Sequence, residues 1–317
     1  MGGQRVGARP STTNERLDRL LSILKCPACG RTEFALGDGD IVCPCGRAFP
    51  LRGVVPDFSG AEVDTVHGFQ FQWEKRREGA FEQTTLYGKT EAEEEDQFYR
   101  YLGRDRESIR GKRVLDGGCG SGRLVTMLAR QGVDVVGVDL TSTVFAIDKQ
   151  AQALGLDTLT LVRGDLRALP LRDNTFDYVW SGGVIHHTGD TREALHNLTR
   201  ALKPGGWLYI WVYSVDQGIF GRLRQAFPWA HRLPGPALLL LCRLLALPVW
   251  ALGAVSGRYH PMEEIRFKLF DHLSPRYRTV HSETEMTNWF GAEGLDQVEI
   301  VIPQTTGGVG LRGRKRV

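Results

Sequence analysis

From residue 112 onward, short apolar runs alternate with stretches whose apolar positions recur every three or four residues. Residues 113–116 read as a strand that runs into a glycine-rich turn. The helix after it turns Leu124, Val125 and Leu128 inward, and Gly132 is placed to cap its end. Residues 133–139 alternate as a second strand, and a helix over 143–154 closes at Gly155. Residues 159–163 and 176–180 are the third and fourth strands. A helix over 191–202 is stopped by Lys203-Pro204-Gly205-Gly206, and 207–213 form the fifth strand. Residues 298–302 and 309–314 give two more strands joined by a glycine-rich hairpin loop. Strand followed by helix, repeated, predicts an α/β protein with a parallel sheet covered on both faces.

The flanks have other periods. Residues 1–24 read as a lead and a short amphipathic helix with Leu17, Leu20, Leu21 and Leu24 on one face. Residues 25–60 are a compact unit rich in Cys, Gly and Pro. Residues 66–108 are helical and carry Phe69, Phe71, Trp73, Phe81, Phe98 and Tyr99, expected to cover the site and mostly to be core. A predominantly helical insertion of about eighty residues, 216–290, parts the fifth strand from the last two, which occupy 295–317. Its longest apolar stretch, 237–252, is interrupted by Arg243 and Pro248 and falls short of the roughly 20 apolar residues a spanning helix needs. No transmembrane segment is expected from it.

Composition changes this picture little. The 317 residues are 42% hydrophobic and 24% charged, ordinary for a globular chain. The net charge of +3 gathers at the end, in Arg312, Arg314, Lys315 and Arg316. With the acidic run Glu93, Glu94, Glu95, Asp96, that argues against a phosphate-binding face and makes a nucleic-acid partner an unfavoured expectation. The first residues lack the apolar core of a signal peptide. Four of the six cysteines cluster with metal-type spacing, so a reducing, cytoplasmic setting is expected.

The candidate chemistry starts at Asp116-Gly117-Gly118-Cys119-Gly120-Ser121-Gly122. In an open α/β sheet the ligand binds beyond the carboxyl ends of the strands. This loop lacks the G-x-G-x-x-G spacing of a dinucleotide site, and its leading carboxylate would repel a pyrophosphate. It suits a ligand with a cationic amino-acid tail and no phosphate, which is S-adenosylmethionine. Asp139, ending the second strand, can accept both ribose hydroxyls, and Leu140 follows it. Asp165 can accept from an adenine amino group, with the Leu166 amide presented to the ring. Cys119 reads as a small buried side chain.

VLDGGCGSG, VVGVDL, RGDLRALPLRDNTFDYVWSGGVIHHT and LKPGGWLYIWVY resemble, in order, the successive motifs of class I S-adenosylmethionine-dependent methyltransferases. The resemblance covers about residues 110–215. It implies a Rossmann-like sheet of seven strands, the last antiparallel, and cofactor contacts at Asp116, Gly117, Gly118, Gly120, Asp139, Leu140, Asp165, Leu166 and Ser181. The later stretch from Phe270-Asp271-His272-Leu273-Ser274-Pro275 to Asn288-Trp289-Phe290 is similar to a bacterial subgroup associated with specialised-metabolite or cell-surface glycan chemistry.

Methyl transfer is an in-line displacement, so alignment and exclusion of water do most of the work. A base is needed only where the acceptor must lose a proton, and His186 and His187, after the fourth strand, are its candidates. Tyr87, beside Gly88, is the aromatic to test. The apolar insertion reads as a lid over a bulky or partly apolar small-molecule acceptor; the alternatives are a plain helical subdomain, a homodimer contact or a thinly basic membrane-surface helix.

Cys26-Pro-Ala-Cys29 and Cys43-Pro-Cys45 supply four thiolates suited to tetrahedral, structural zinc. The second pair is one residue tighter than the usual C-x-x-C. Residues 48–58 resemble the tail of short zinc ribbons that precede some bacterial methyltransferases. The expected function is methylation of a small molecule at O, N or C. One rival is an rRNA or tRNA methyltransferase using the zinc module for docking, disfavoured by the weak charge and by Ser181-Gly182-Gly183-Val184 where amino-methylating enzymes carry Asn-Pro-Pro-Tyr. The other is a non-catalytic cofactor-binding protein.

Overall fold

The computed structural model describes residues 13–60, 66–81, 85–216, 218–255 and 261–317. The expected lead, 1–12, lies outside the described residues. Helix α1 (Thr13–Leu21) comes first, then a small antiparallel sheet of β1 (Ala35–Leu36), β2 (Asp40–Val42), β3 (Ala48–Arg52) and β4 (Val55–Pro56). Helices α2 (His67–Arg77), α3 (Glu91–Leu102) and α4 (Arg106–Ile109) precede the large sheet.

That sheet begins with β5 (Arg113–Gly117), α5 (Arg123–Arg130), β6 (Asp134–Asp139), α6 (Thr143–Ala153), β7 (Leu159–Arg163), β8 (Phe176–Gly182), α7 (Thr191–Ala201) and β9 (Leu202–Tyr213). After helices α8 (Gly218–Ala226), α9 (Gly235–Val255), α10 (Met262–Leu273) and α11 (Glu283–Ala292), the chain returns as β10 (Leu295–Ile302) and β11 (Gly308–Lys315). The strand order is β10-β11-β9-β8-β5-β6-β7. β5 to β9 run parallel, and β11 lies antiparallel between β9 and β10. This is the expected α/β sheet of seven strands with its last strand antiparallel. Its central strands are buried on both faces, which is why Val114, Leu115, Val135, Val136 and Val138 read as unbroken apolar runs.

Two elements differ from expectation. β9 starts at Leu202 because Phe176 pairs with Leu202 and Tyr178 with Trp207, so Lys203-Pro204-Gly205-Gly206 bulges out between two points of pairing. The apolar stretch 237–252, interrupted by Arg243 and Pro248, was expected to be too short for a spanning helix, yet α9 runs through both for 21 residues. By length and composition alone it is long and apolar enough to cross a membrane. Arg243 and Pro248 both face outward, where water can replace the backbone bond that proline removes. The inner face of α9 buries Leu238, Cys242, Ala246 and Val249 in a cluster with Ile265, Leu269 and Phe270 of α10. α11 instead packs Met286 and Phe290 into the core of the large sheet.

The cysteine-bearing segment is fused to the edge of that sheet. Ile41 and Phe58 share a core with Leu24, Leu169 and Leu171. The Phe58 amide donates to the Arg163 carbonyl at 2.8 Å, so the chain after β4 covers the exposed edge of β7.

Candidate active site

The carboxyl ends of β5, β6 and β8 open into a cavity of about 1040 Å³. At one end the chain leaves β5 at buried Asp116 and turns through Gly118 and Gly120, with φ of 89° and 52°. A Cβ on Gly118 would lie 2.3 Å from the Val184 side chain, and one on Gly120 would lie 3.2 Å from Trp73. Both positions need glycine, for left-handed backbone and for space. Asp139 fastens the loop: it accepts the Gly120 amide at 2.7 Å, the Thr141 amide at 2.8 Å and the Thr141 hydroxyl at 2.6 Å.

This end of the cavity is acidic. Burial pushes the Asp116 carboxyl well above the usual range, and Glu94 and Asp139 push it further. Burial also raises Asp139, against the pull of its three donors and of Arg163. Glu94 of α3 stands on the same wall, raised by burial and 3.0 Å from Arg123 Nε. The sequence reading took Glu94 only as part of a charged run; its side chain faces inward because the capping box at Thr90 and Glu93 sets the phase of α3.

Leu140, Asp165 and Leu166 complete this wall. The Asp165 carboxylate accepts from the Arg167 amide at 2.8 Å and from Arg167 Nη2 at 2.6 Å. The Leu140 carbonyl accepts from Arg163 Nε at 3.1 Å, and Arg163 Nη1 pairs with Asp57 at 2.9 Å. Asp57 lies just beyond β4, so the cysteine-bearing segment braces the loop that follows Asp139. Ser181 donates its hydroxyl to the Gly117 carbonyl at 2.7 Å, behind the wall. Cys119 packs beneath the loop, and burial drives its thiol pKa well up.

The other end is built from Tyr87, His187, Tyr213 and Asp271. Tyr87 Oη donates to one Asp271 oxygen at 2.8 Å and Tyr213 Oη to the other at 2.6 Å. Burial raises the Asp271 carboxyl, while the two phenols lower it. Tyr87 has φ of 51° and Gly88 has φ of 78° in a two-residue turn closed by bonds between Leu86 and Lys89. Such a turn favours Asn-Gly, and a tyrosine there costs about 1–3 kcal/mol of backbone strain. The bond to Asp271 and the contact with the Phe267 ring at 5.0 Å hold it in place.

His187 reaches the cavity and donates from Nδ1 to the Tyr277 carbonyl at 3.0 Å, which leaves Nε2 as the acceptor nitrogen. Burial lowers its pKa to about 3, so the ring is neutral. His186 is fully buried, packed on Tyr213 and His187, and both of its ring nitrogens lack a hydrogen-bond partner. It stands behind the wall, and of the two candidate bases only His187 faces the cavity. Tyr213 and Asp271 escaped the sequence reading as site residues. Tyr213 was visible only as the end of a strand, and Asp271 only within a loosely similar segment.

The sulfurs of Cys26, Cys29, Cys43 and Cys45 lie within 4.8 Å of one another, at 3.9 Å for Cys26–Cys45 and 3.5 Å for Cys29–Cys43. Tetrahedral zinc with bonds of about 2.3 Å would set them about 3.8 Å apart. The two turns match despite their different lengths. The carbonyl of each first cysteine accepts the amide of a left-handed glycine, Gly30 or Gly46, and its amide donates to the Arg31 or Arg47 carbonyl.

Residues 115–210 match the family model described as a methyltransferase domain. Over 177 residues the chain is 28% identical to malonyl-[acyl-carrier protein] O-methyltransferase of Salmonella typhimurium, covering 56% of this chain and 58% of that protein. Over 119 residues it is 35% identical to demethylmenaquinone methyltransferase of Bacillus mycoides, covering 34% of this chain and 50% of that one. The chain thus spans about half the length of the curated relatives it matches. A solved S-adenosylmethionine-dependent methyltransferase from Aquifex aeolicus is similar at 18% identity and a TM-score of 0.43, over 69% of this chain and 88% of that one.

Proposed function

We propose that the protein transfers a methyl group from S-adenosylmethionine to a small-molecule acceptor with an apolar part. The observation that carries this reading is the buried acidic end of the cavity, where Asp116, Glu94 and Asp139 gather around a glycine loop. Three carboxylates there call for a cationic ligand without phosphate. The bound cofactor would supply a methyl group on a sulfonium, the electrophile of the reaction. Asp116 would hold its amino-acid end together with Gly118 and Gly120, Asp139 its ribose hydroxyls, and Asp165, Leu140 and Leu166 its adenine. Gly117 and Ser181 would support the loop from behind.

At the other end, Tyr87 and Tyr213 would orient the acceptor. A proton leaving an O–H or N–H would pass to His187 Nε2, or to a tyrosine oxygen as that tyrosine's own proton moves to Asp271. Trp73 and Phe69 would exclude water. Structural zinc on Cys26, Cys29, Cys43 and Cys45, and a reducing, cytoplasmic setting, belong to the same reading.

The test is calorimetric titration of the full chain with S-adenosylhomocysteine, beside Asp139→Ala. Saturable binding is expected, weakened about a hundredfold in the variant by the loss of a charged acceptor and its loop contacts. A folded protein that does not bind overturns the reading. Binding without transfer to any acceptor would favour the non-catalytic alternative.

A further inference from the structure

α9 is apolar on two opposite faces. At 100° per residue, Leu238, Cys242, Ala246 and Val249 fall on the side packed against α10. Leu240, Leu244 and Leu247 fall on the opposite side and are 57%, 66% and 62% exposed. Val255 extends this outer stripe at 90% exposed, and Leu252, on the flank beside it, is 61% exposed. An isolated exposed leucine needs no explanation, but a stripe this long on one helix does.

Two observations say what covers it. The first is charge. Between Asp216 and Glu263 the sequence has no carboxylate and has five arginines, at 222, 224, 232, 243 and 258. Arg222, Arg232 and Arg243 are exposed, and Trp229 beside them is 47% exposed. A leucine face in a segment with arginines, an exposed tryptophan and no acidic residue is the composition of a helix lying at an anionic lipid interface. The second is continuity with the cavity: Leu252, on the flank of α9 between its two faces, is exposed and also lines the cavity wall, and so does Ile219 of α8, 37% exposed. The apolar surface therefore runs from the outer face of α9 into the acceptor end.

We propose that the outer face of α9 rests on an anionic lipid bilayer, with the mouth of the cavity turned toward the lipid. α9 lies along the surface, since its inner face is already committed to α10. Leu240, Leu244 and Leu247 enter the acyl boundary, Trp229 sits at headgroup level, and the arginines meet lipid phosphates. In a clause that rests on the methyl-transfer reading, the acceptor's apolar part enters the cavity from the bilayer past Leu252 and Ile219.

The docking is tested without any acceptor. The full chain is floated with vesicles of phosphatidylcholine alone and with about 30% phosphatidylglycerol, at low and at physiological salt. Binding to the anionic vesicles is expected, weaker as salt rises. The double variant L244E/L247E should lose it at least about tenfold, because two charges would then have to enter the acyl boundary. Its near-ultraviolet circular dichroism and its S-adenosylhomocysteine titration should match the parent, which keeps the two readings separable. Reversing Arg222 and Arg232 to Glu should abolish the preference for anionic lipid. A parent chain that floats with neither vesicle at either salt overturns the proposal. So does a parent dimer in sedimentation that L244E/L247E splits while vesicles are ignored, which would assign the face to a second copy of the chain.

Discussion

Asp139 and Asp271 are both carboxylates on the wall of one cavity, and each organises its end by accepting hydrogen bonds. Asp139 draws its donors from residues 2 and 19 positions away, all within the β5–α5–β6 unit and the loop that follows it. Asp271 draws its two phenols from residues 58 and 184 positions away, on a strand end and a strained turn. The first arrangement is local and comes with the sheet. The second exists only once α10, β9 and the turn at Tyr87 have docked together. One end of the cavity is thus set by local chain geometry, and the other by contacts between distant segments.

The largest effect that bears on this contrast is expected from Asp271→Asn. The amide cannot accept from both phenols, so one buried hydroxyl loses its partner, at about 2 kcal/mol. The melting temperature should fall by about 5 °C, while affinity for S-adenosylhomocysteine stays within about twofold, because no cofactor contact is proposed for Asp271. The same variant should transfer methyl groups poorly once an acceptor is found. If Asp271→Asn also abolished cofactor binding, the two ends would be one coupled unit and the contrast would fail.

The contrast also explains what the sequence made legible. The order of strands and helices over residues 112–213 could be read because each element there is patterned over fewer than fifteen residues and punctuated by glycine or proline. The gathering of Asp116, Gly118, Gly120, Asp139 and Asp165 at one cavity was readable for the same reason: each stands at or just beyond a strand end. The Tyr87–Asp271–Tyr213 cluster was not, since no local pattern announces a contact across 184 residues. His186 and His187 looked equivalent as neighbours on a short helical turn, and only packing turned one to the cavity and one to the core. Arg243 and Pro248 misled because sequence shows a charge and a helix breaker without showing that both face outward. Glu94 was hidden among exposed acids by a helix phase that Thr90 sets.

A second test concerns how local the cofactor end is. Asp57 reaches through Arg163 to the Leu140 carbonyl, linking the cysteine cluster to the loop after Asp139. Stripping zinc from the loaded protein with a chelator should loosen the segment that carries Asp57. Affinity for S-adenosylhomocysteine is then expected to fall about tenfold, or about 1.4 kcal/mol. Asp57→Asn, with zinc retained, should give part of that loss. An unchanged titration after complete zinc removal, measured by metal analysis of the same sample, would show that the brace does not reach the site.

The smallest effect separates the two histidines. Burial, and after it the nearby Arg278 guanidinium, lowers the pKa of His186 well below 6.5. The folded chain therefore keeps this ring neutral, while the unfolded chain binds a proton near pH 6.5. Because the folded pKa is the lower one, stability is fully present above pH 6.5 and declines as pH falls below it. From pH 7.5 to pH 6 this one group should remove about 0.8 kcal/mol, seen as a fall of about 2 °C in melting temperature. His186→Phe, which removes two buried nitrogens without partners, should flatten that part of the pH profile without weakening cofactor binding. His187→Gln should also remove a like share of the slope, since its ring is neutral in the fold with a pKa of about 3, but unlike His186→Phe it should act on transfer as well. An unchanged slope in His186→Phe would mean that His186 takes up its proton in the folded state as readily as in the unfolded one. The ring would then have to reach water or a carboxylate, and its place behind the cavity wall would be wrong.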